Sequence, residues 1–184
     1  IDDAPLYLWY SDSKSLAVLN AVLNAGYEIR TNIIWNKNMA QFGAIGAQYK
    51  TKHEPCVYAF KKGKKVNWCG PNNEVSVWDI NRSAKNNFHP TQKPVELSAK
   101  AIKNHSVGLI VDFFLGSGST LIGSDQLNRI CYGQELDPKY CDVIVARYIK
   151  HRRESGKELI IKRNGVVLSE DEINKYIENT KTGE

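Results

Sequence analysis

The sequence predicts an α/β fold with a mainly parallel sheet and an antiparallel hairpin. Three observations carry that expectation. Short, nearly continuous apolar runs recur along the chain, the mark of strands buried on both faces. Stretches of helical period alternate with them. One apolar run passes through a glycine turn straight into a helix start, Val111-Asp112-Phe113-Phe114-Leu115-Gly116-Ser117-Gly118-Ser119-Thr120.

The elements follow in order. Leu6 to Tyr10 reads as a buried strand, and Ser11-Asp12-Ser13 offers capping side chains to the helix after it. Leu16, Leu19 and Leu23, with Val18 and Val22, give that helix its apolar face, and Gly26 supplies the left-handed residue that ends it. Ile29 to Trp35 is the second strand. Residues 37–52 lack a clear period and read as a loop. Pro55 to Phe60 is the third strand, closed by the basic run Lys61-Lys62-Gly63-Lys64-Lys65. The polar segment to Phe88 reads as irregular, anchored by Trp68 and Trp78. Pro94 suits the first turn of a helix carrying Leu97, Ala101 and Ile102. Leu109 to Phe114 is a strand, the glycine turn leads into a helix to about Leu127, and Ile130 to Gln134 is the next strand. Tyr140, Val143, Ile144 and Tyr148 mark one face of the following helix. Leu159 to Leu168 reads as a hairpin, because Asn164-Gly165 favours a type I′ turn. Ser169 and Glu172 form a capping box for a last helix.

Composition bounds the function. Of the 184 residues, 42% are hydrophobic and 24% charged, and the mean hydropathy is −0.43. That is the balance of a globular chain with one core. No apolar run is long enough to span a bilayer and no leader pattern opens the chain, so a cytoplasmic protein is expected. The net charge of +5 permits a polyanionic partner. Cys56, Cys69, Cys131 and Cys141 form no C-x-x-C pair and read as reduced thiols. His53, Cys56, Cys69 and His89 match no usual zinc spacing, so no metal is expected.

The glycine turn is the strongest local signal. Two glycines let backbone approach a ligand closely and leave amides free at a helix start. Glu135 ends the next strand, where a carboxylate can accept both ribose hydroxyls of a nucleoside. A dinucleotide dehydrogenase would carry a third glycine at position 121, which is Leu121 here. A phosphate-binding loop is excluded, since no Gly-Lys-Ser/Thr follows. An ordinary strand-to-helix turn with an incidental surface glutamate is the plain alternative, as is a non-enzymatic module that binds nucleic acid or a nucleotide.

Three motifs together carry a family resemblance. His89-Pro90-Thr91-Gln92-Lys93-Pro94 resembles the H-P-T-x-K-P segment of DNA amino-methyltransferases. Asp112 to Thr120 resembles their D-P-F-x-G-S-G-T-T turn, with Phe113 in place of the usual proline. Glu135-Leu136-Asp137-Pro138-Lys139-Tyr140 resembles their E-x-D-P-x-Y segment. Ile33 to Lys37, His53-Glu54-Pro55 and Trp78-Asp79-Ile80 are further points of similarity. The order of motifs is similar to the permuted β-type arrangement of phage and prophage N6-adenine or N4-cytosine methylases from the restriction-modification class.

The resemblance implies a doubly wound, Rossmann-like methyltransferase fold with S-adenosylmethionine as cofactor. Gly116, Ser117 and Gly118, with Phe114 beside them, would line its methionine part. Asp112 would hold the amino group and Glu135 the ribose, while Thr91 and Lys93 would reach the carboxylate. His89 is as readily a capping or packing residue as a ligand. Residues 1–60 would form the target-base half, 61–88 a short recognition region, 89–155 the cofactor half, and 156–184 a hairpin and helix, all in one domain. Double-stranded DNA is the implied partner, adenine N6 being favoured over cytosine N4, and β-type relatives make a homodimer conceivable. Lys37, Lys50, Lys52, Lys61, Lys62, Lys64, Lys65, Arg82 and Lys85 are candidates for phosphate contacts.

One departure is large. The family's catalytic (Asp/Asn/Ser)-Pro-Pro-(Tyr/Phe) motif is absent, since no two prolines are adjacent. The catalytic residues are therefore unknown from this chain. An incomplete sheet is expected, with the catalytic strand missing between the Leu6 and Leu109 strands and supplied by residues before Ile1.

Overall fold

A computed structural model describes residues 3–38, 48–82 and 92–181. The chain divides into two compact units, residues 1–83 with 100–107 and residues 84–99 with 108–184. Each has its own apolar cluster.

The first unit is built on a four-stranded sheet. Its strands are β1 (Pro5–Trp9), β2 (Tyr27–Asn36), β3 (His53–Lys61) and β4 (Val77–Asp79), in the order β1-β3-β2-β4. β3 lies antiparallel to both β1 and β2, and β4 pairs parallel with β2. β3 is central, so Cys56, Val57 and Ala59 are fully buried. The helix α1 (Ser15–Asn24) sets Leu19 and Val22 among Leu6, Leu8, Val57, Ala59 and Ile29.

Two expectations are corrected here. Leu16 and Leu23 are 74% and 52% exposed, because the helix docks through Leu19 and Val22 and turns those two leucines outward. Ser11-Asp12-Ser13 makes no side-chain cap. Asp12–Lys14 forms a short 3-10 turn, and Lys14 takes the cap position of α1. Gly26 ends the helix with φ +79° as expected. β4 was not legible as a strand, yet it buries Trp78 to 3% exposure.

On the face of the sheet opposite α1, Tyr7 packs on Tyr58 at 5.0 Å between ring centroids. Its hydroxyl lies 3.0 Å from Nε2 of His105, and Trp68 meets the same imidazole edge-on.

α2 (Val95–Lys103) begins in the second unit and ends in the first. Within the second unit, β5 (Leu109–Asp112) and β6 (Ile130–Gly133) pair in parallel. α3 (Ser119–Gln126) packs against β6. α4 (Pro138–Glu154) starts with proline in its first turn and Asp137 as its cap. β7 (Lys162–Arg163) and β8 (Val166–Val167) form the expected hairpin, with φ of 52° at Asn164 and 83° at Gly165. That pair of positive angles is the type I′ signature. The capping box of α5 (Glu170–Lys181) closes as read: Ser169 N donates to Glu172 at 2.9 Å and Glu172 N to Ser169 Oγ at 3.3 Å.

The α/β class stands. Parallel pairing among the described residues is limited to β2–β4 and β5–β6, because β3 inserts antiparallel between its neighbours. β1 and β5, the strands expected to flank the missing one, belong to different sheets.

Candidate functional site

The second unit brings most of the predicted site residues to the carboxyl ends of β5 and β6. Two backbone bonds carry the ladder past the strands: Gln134 N donates to Asp112 O at 2.9 Å, and Leu115 N to Gln134 O at 2.9 Å. These rungs set Glu135 opposite the glycine turn. Gly116 N then donates to Glu135 Oε2 at 2.7 Å. The other carboxylate oxygen accepts from Leu136 N at 2.9 Å and from Asp137 N at 3.0 Å. Glu135 is thus a clamp that ties the turn to the end of β6.

Gly116 and Gly118 both take left-handed angles, +57° and +84°. Only glycine adopts these without strain. At Gly118 a Cβ would also lie 3.2 Å from Ile144 Cγ2 on α4. Asp112 accepts from Phe114 N at 2.9 Å, which folds the start of the turn back on β5. Phe114 and Leu136 stand 85% and 94% exposed on either side of the turn and its clamp. Ser117 is buried, so its side chain is closed off from solvent. Lys93 joins the site from the N-terminal side of α2, where its carbonyl accepts from Ser119 Oγ at 2.6 Å. His89 and Thr91 lie outside the described residues.

Sequence reading missed Arg147. Its guanidinium donates to the carbonyl of Ser117 and so holds the turn from the α4 side. A signal existed: Arg147 stands one turn from Val143 and Ile144 on the face read as apolar, an unusual place for a charge. Two thiols near the turn are shifted upward. Burial pushes the Cys131 thiol up. Burial, then the carboxylates of Glu135, Asp142 and Asp137, do the same at Cys141. All four cysteines are free, as expected. Among the described residues, no His, Cys, Asp and Glu group is placed to hold a metal. No helix there is long and apolar enough to cross a membrane.

A second cluster lies at the carboxyl ends of β2 and β4 in the first unit. Three separate points of sequence similarity turn out to be neighbouring strands. Asn36 pairs with His53 on one side and Asp79 on the other, and Trp35 pairs with Glu54 and Trp78. Trp35 Nε1 donates to Ile80 O at 2.7 Å, and Asn36 Nδ2 to Asp79 Oδ1 at 2.6 Å. Lys37 is only 2% exposed and meets Glu54 at 2.6 Å. It therefore leaves the set of phosphate candidates. His53 Nε2 lies 3.0 Å from Asp12, with both side chains well exposed. Lys50, Lys52, Lys62, Lys64 and Lys65 remain exposed, whereas Lys61 reaches back to Ala25 O at 3.1 Å. Lys85 lies outside the described residues.

Comparison with known proteins is consistent with this geometry. A family model for DNA methylases, N6_N4_Mtase, matches residues 7–146. The chain is 29% identical over 147 residues to the type II methyltransferase M.SmaI of Serratia marcescens, covering 72% of this chain and 50% of that protein. It is 29% identical over 140 residues to the putative methylase YubD of Escherichia coli strain K12, covering 75% and 59%. The chain thus spans about half the length of the curated relatives it matches. Among solved structures, the M1.HpyAVI–SAM complex aligns with a TM-score of 0.70 at 24% identity, over 80% of this chain and 76% of that one. The cytosine-N4-specific PvuII DNA methyltransferase aligns with a TM-score of 0.70 at 16% identity, over 100% and 72%. These structural likenesses establish a shared fold.

Proposed function

The chain belongs to the N6/N4 DNA methylase family, and from that premise we propose that it is the cofactor-binding portion of an enzyme that methylates an exocyclic amino group of a DNA base. S-adenosylmethionine is the methyl donor in this reading, and adenine N6 is favoured over cytosine N4 as acceptor. The observation that carries it is the clamped turn: two left-handed glycines tied by Glu135, with Asp112 beside them.

The residues present suit that cofactor. It bears an ammonium and a sulfonium, and two carboxylates stand at the ends of the two strands. Its purine is flat and apolar on both faces, and Phe114 and Leu136 offer exposed apolar side chains beside the clamp. When bound, the cofactor supplies an electrophilic methyl group. Asp112 binds the amino group, directly or through water. Glu135 accepts the ribose hydroxyls while holding Gly116 in place. Lys93 neutralises the carboxylate, with Thr91 and His89 in the same segment. Gly118 keeps the path beside Ile144 clear, and Arg147 positions the turn through Ser117.

The acceptor half of the reaction asks for more than these residues. The base must leave the stack, and its amino lone pair is delocalised into the ring. Groups that accept the amine's hydrogens and orient it in line supply much of the acceleration. The family's motif for that task is absent from this sequence, so this chain binds cofactor and does not methylate alone. Exposed lysines around Lys62 and Lys64 hold double-stranded DNA by its phosphates.

Calorimetry tests the first half. S-adenosylhomocysteine should bind the 184-residue chain and NAD should not; binding of NAD alone, or of neither, overturns the reading. Transfer of labelled methyl to duplex DNA tests the second. The whole protein should be active and this chain silent, and the modified nucleoside identifies the base.

A further inference from the structure

Arg147 is a charge without a counter-charge. It follows Ile144 by three residues on α4, so both side chains meet the glycine turn from one face of the helix, Ile144 at Gly118 and Arg147 at Ser117. The guanidinium carries five N–H donors. Among the described residues, the carbonyl of Ser117 is the one hydrogen-bond acceptor it meets. The carboxylates nearest the turn are engaged elsewhere. Asp112 accepts from Phe114 N, Glu135 holds the amides of Gly116, Leu136 and Asp137, and Asp137 caps α4. On α3, Asp125 gathers His151, Arg152 and Lys157.

Arg147 is half-buried, and burial lowers its pKa. A desolvated cation that lacks an anion costs the fold stability. The same cation becomes favourable when an anion settles near it, because attraction strengthens where water is excluded. A cation held against a ligand-binding turn with most of its donors unused therefore calls for an anion that arrives with the ligand.

We infer that Arg147 is a positioning residue whose counter-ion is the carboxylate of the ligand, so that the turn favours a nucleoside carrying an amino acid over the nucleoside alone. The inference rests on the cofactor reading above. Arg147 acts through Ser117: its hydrogen bond orients the peptide between Ser117 and Gly118, and its charge acts across that peptide. Lys93 serves the carboxylate from the segment before α2, and Arg147 adds a second cation from α4.

Two ligands that differ in the amino-acid part test this by calorimetry on the 184-residue chain. S-adenosylhomocysteine carries the carboxylate, and 5′-methylthioadenosine lacks the amino-acid group altogether. Arg147→Gln and Arg147→Met, the second keeping the length and apolar packing of the stem, should each weaken S-adenosylhomocysteine at least tenfold and change 5′-methylthioadenosine less than twofold. Arg147→Lys keeps the charge and should lie between these variants and wild type for the first ligand. Binding of 5′-methylthioadenosine at wild-type strength also reports that the variant is folded. An equal loss of both ligands would assign Arg147 to the fold alone, and unchanged affinity for both would remove it from the site. Either result overturns the inference while leaving the cofactor reading intact. A wild-type chain that binds neither ligand overturns that reading and the inference with it.

Discussion

Gly118 is the residue where conformation and space act together. Its φ of +84° costs a non-glycine residue about 1–2 kcal/mol, and a side chain would press on Ile144. Gly118→Val is expected to abolish S-adenosylhomocysteine binding in calorimetry while leaving the first unit folded. Wild-type affinity in that variant would remove the turn from the site. Glu135 has two duties, the clamp on Gly116, Leu136 and Asp137 and the proposed ribose contact. Charge-assisted hydrogen bonds contribute roughly 1.5–3 kcal/mol each. Glu135→Gln keeps the shape and one acceptor oxygen, so it should bind more weakly than wild type and more tightly than Glu135→Ala. Equal affinity in all three would show that the glutamate serves the fold alone. At this scale the sequence was informative for glycines, whose backbone angles are a local property. It was silent on Lys37, whose burial depends on strands that meet only in the folded chain.

Among elements, α3 and α4 are joined by one carboxylate. Asp125 on α3 meets His151 Nε2 at 2.8 Å, Arg152 at 2.7 Å and Lys157 at 3.0 Å. Burial alone would raise its pKa, but hydrogen bonds from Lys157, His151 and Arg152 hold it below the ordinary carboxylate range. A lowered carboxylate contributes stability above its unfolded value and loses it as pH falls through the folded one. Asp125→Ala leaves Arg152 and Lys157 facing each other without their shared acceptor, and losing hydrogen bonds to a charged group costs roughly 1.5–3 kcal/mol. The second unit's melting temperature should drop by several degrees, and the wild type's acid dependence should flatten. A variant as stable as wild type would show that solvent screens the cluster. The hairpin and capping box at this scale were read correctly because each is closed by neighbours in sequence.

Across the whole molecule, the first unit carries a buried neutral histidine. Burial lowers His105 from 6.5 to about 4. The unfolded chain therefore binds a proton below pH 6.5 that the folded chain refuses until about pH 4. Stability is complete above pH 6.5 and falls between 6.5 and 4, by roughly 2–3 kcal/mol. Urea unfolding followed through the tryptophans should show that slope, and His105→Gln should flatten it; an unchanged slope would place the titration elsewhere. The proposed DNA contact belongs to the same scale. If Lys62 and Lys64 each neutralise a phosphate, replacing both by alanine should lower the slope of log affinity against log salt by about 2. It should do so equally for every DNA sequence tested. No change in slope would move the phosphate contacts to other residues.

The sequence alone determined the α/β class, the glycine turn, the carboxylate after it, the hairpin turn and the last capping box. The turns and the cap are written by residues a few positions apart, through sterics and hydrogen bonds that act along the chain. The tertiary structure alone decided which side of α1 meets the sheet, that Val77–Asp79 is a strand, and that residues 33–37, 53–55 and 77–80 are neighbours. It also decided that Arg147 holds Ser117 and that Leu109 pairs with Ile130 and Val111 with Tyr132. Those outcomes depend on pairings between distant segments, whose energies arise only once the chain has closed and buried them.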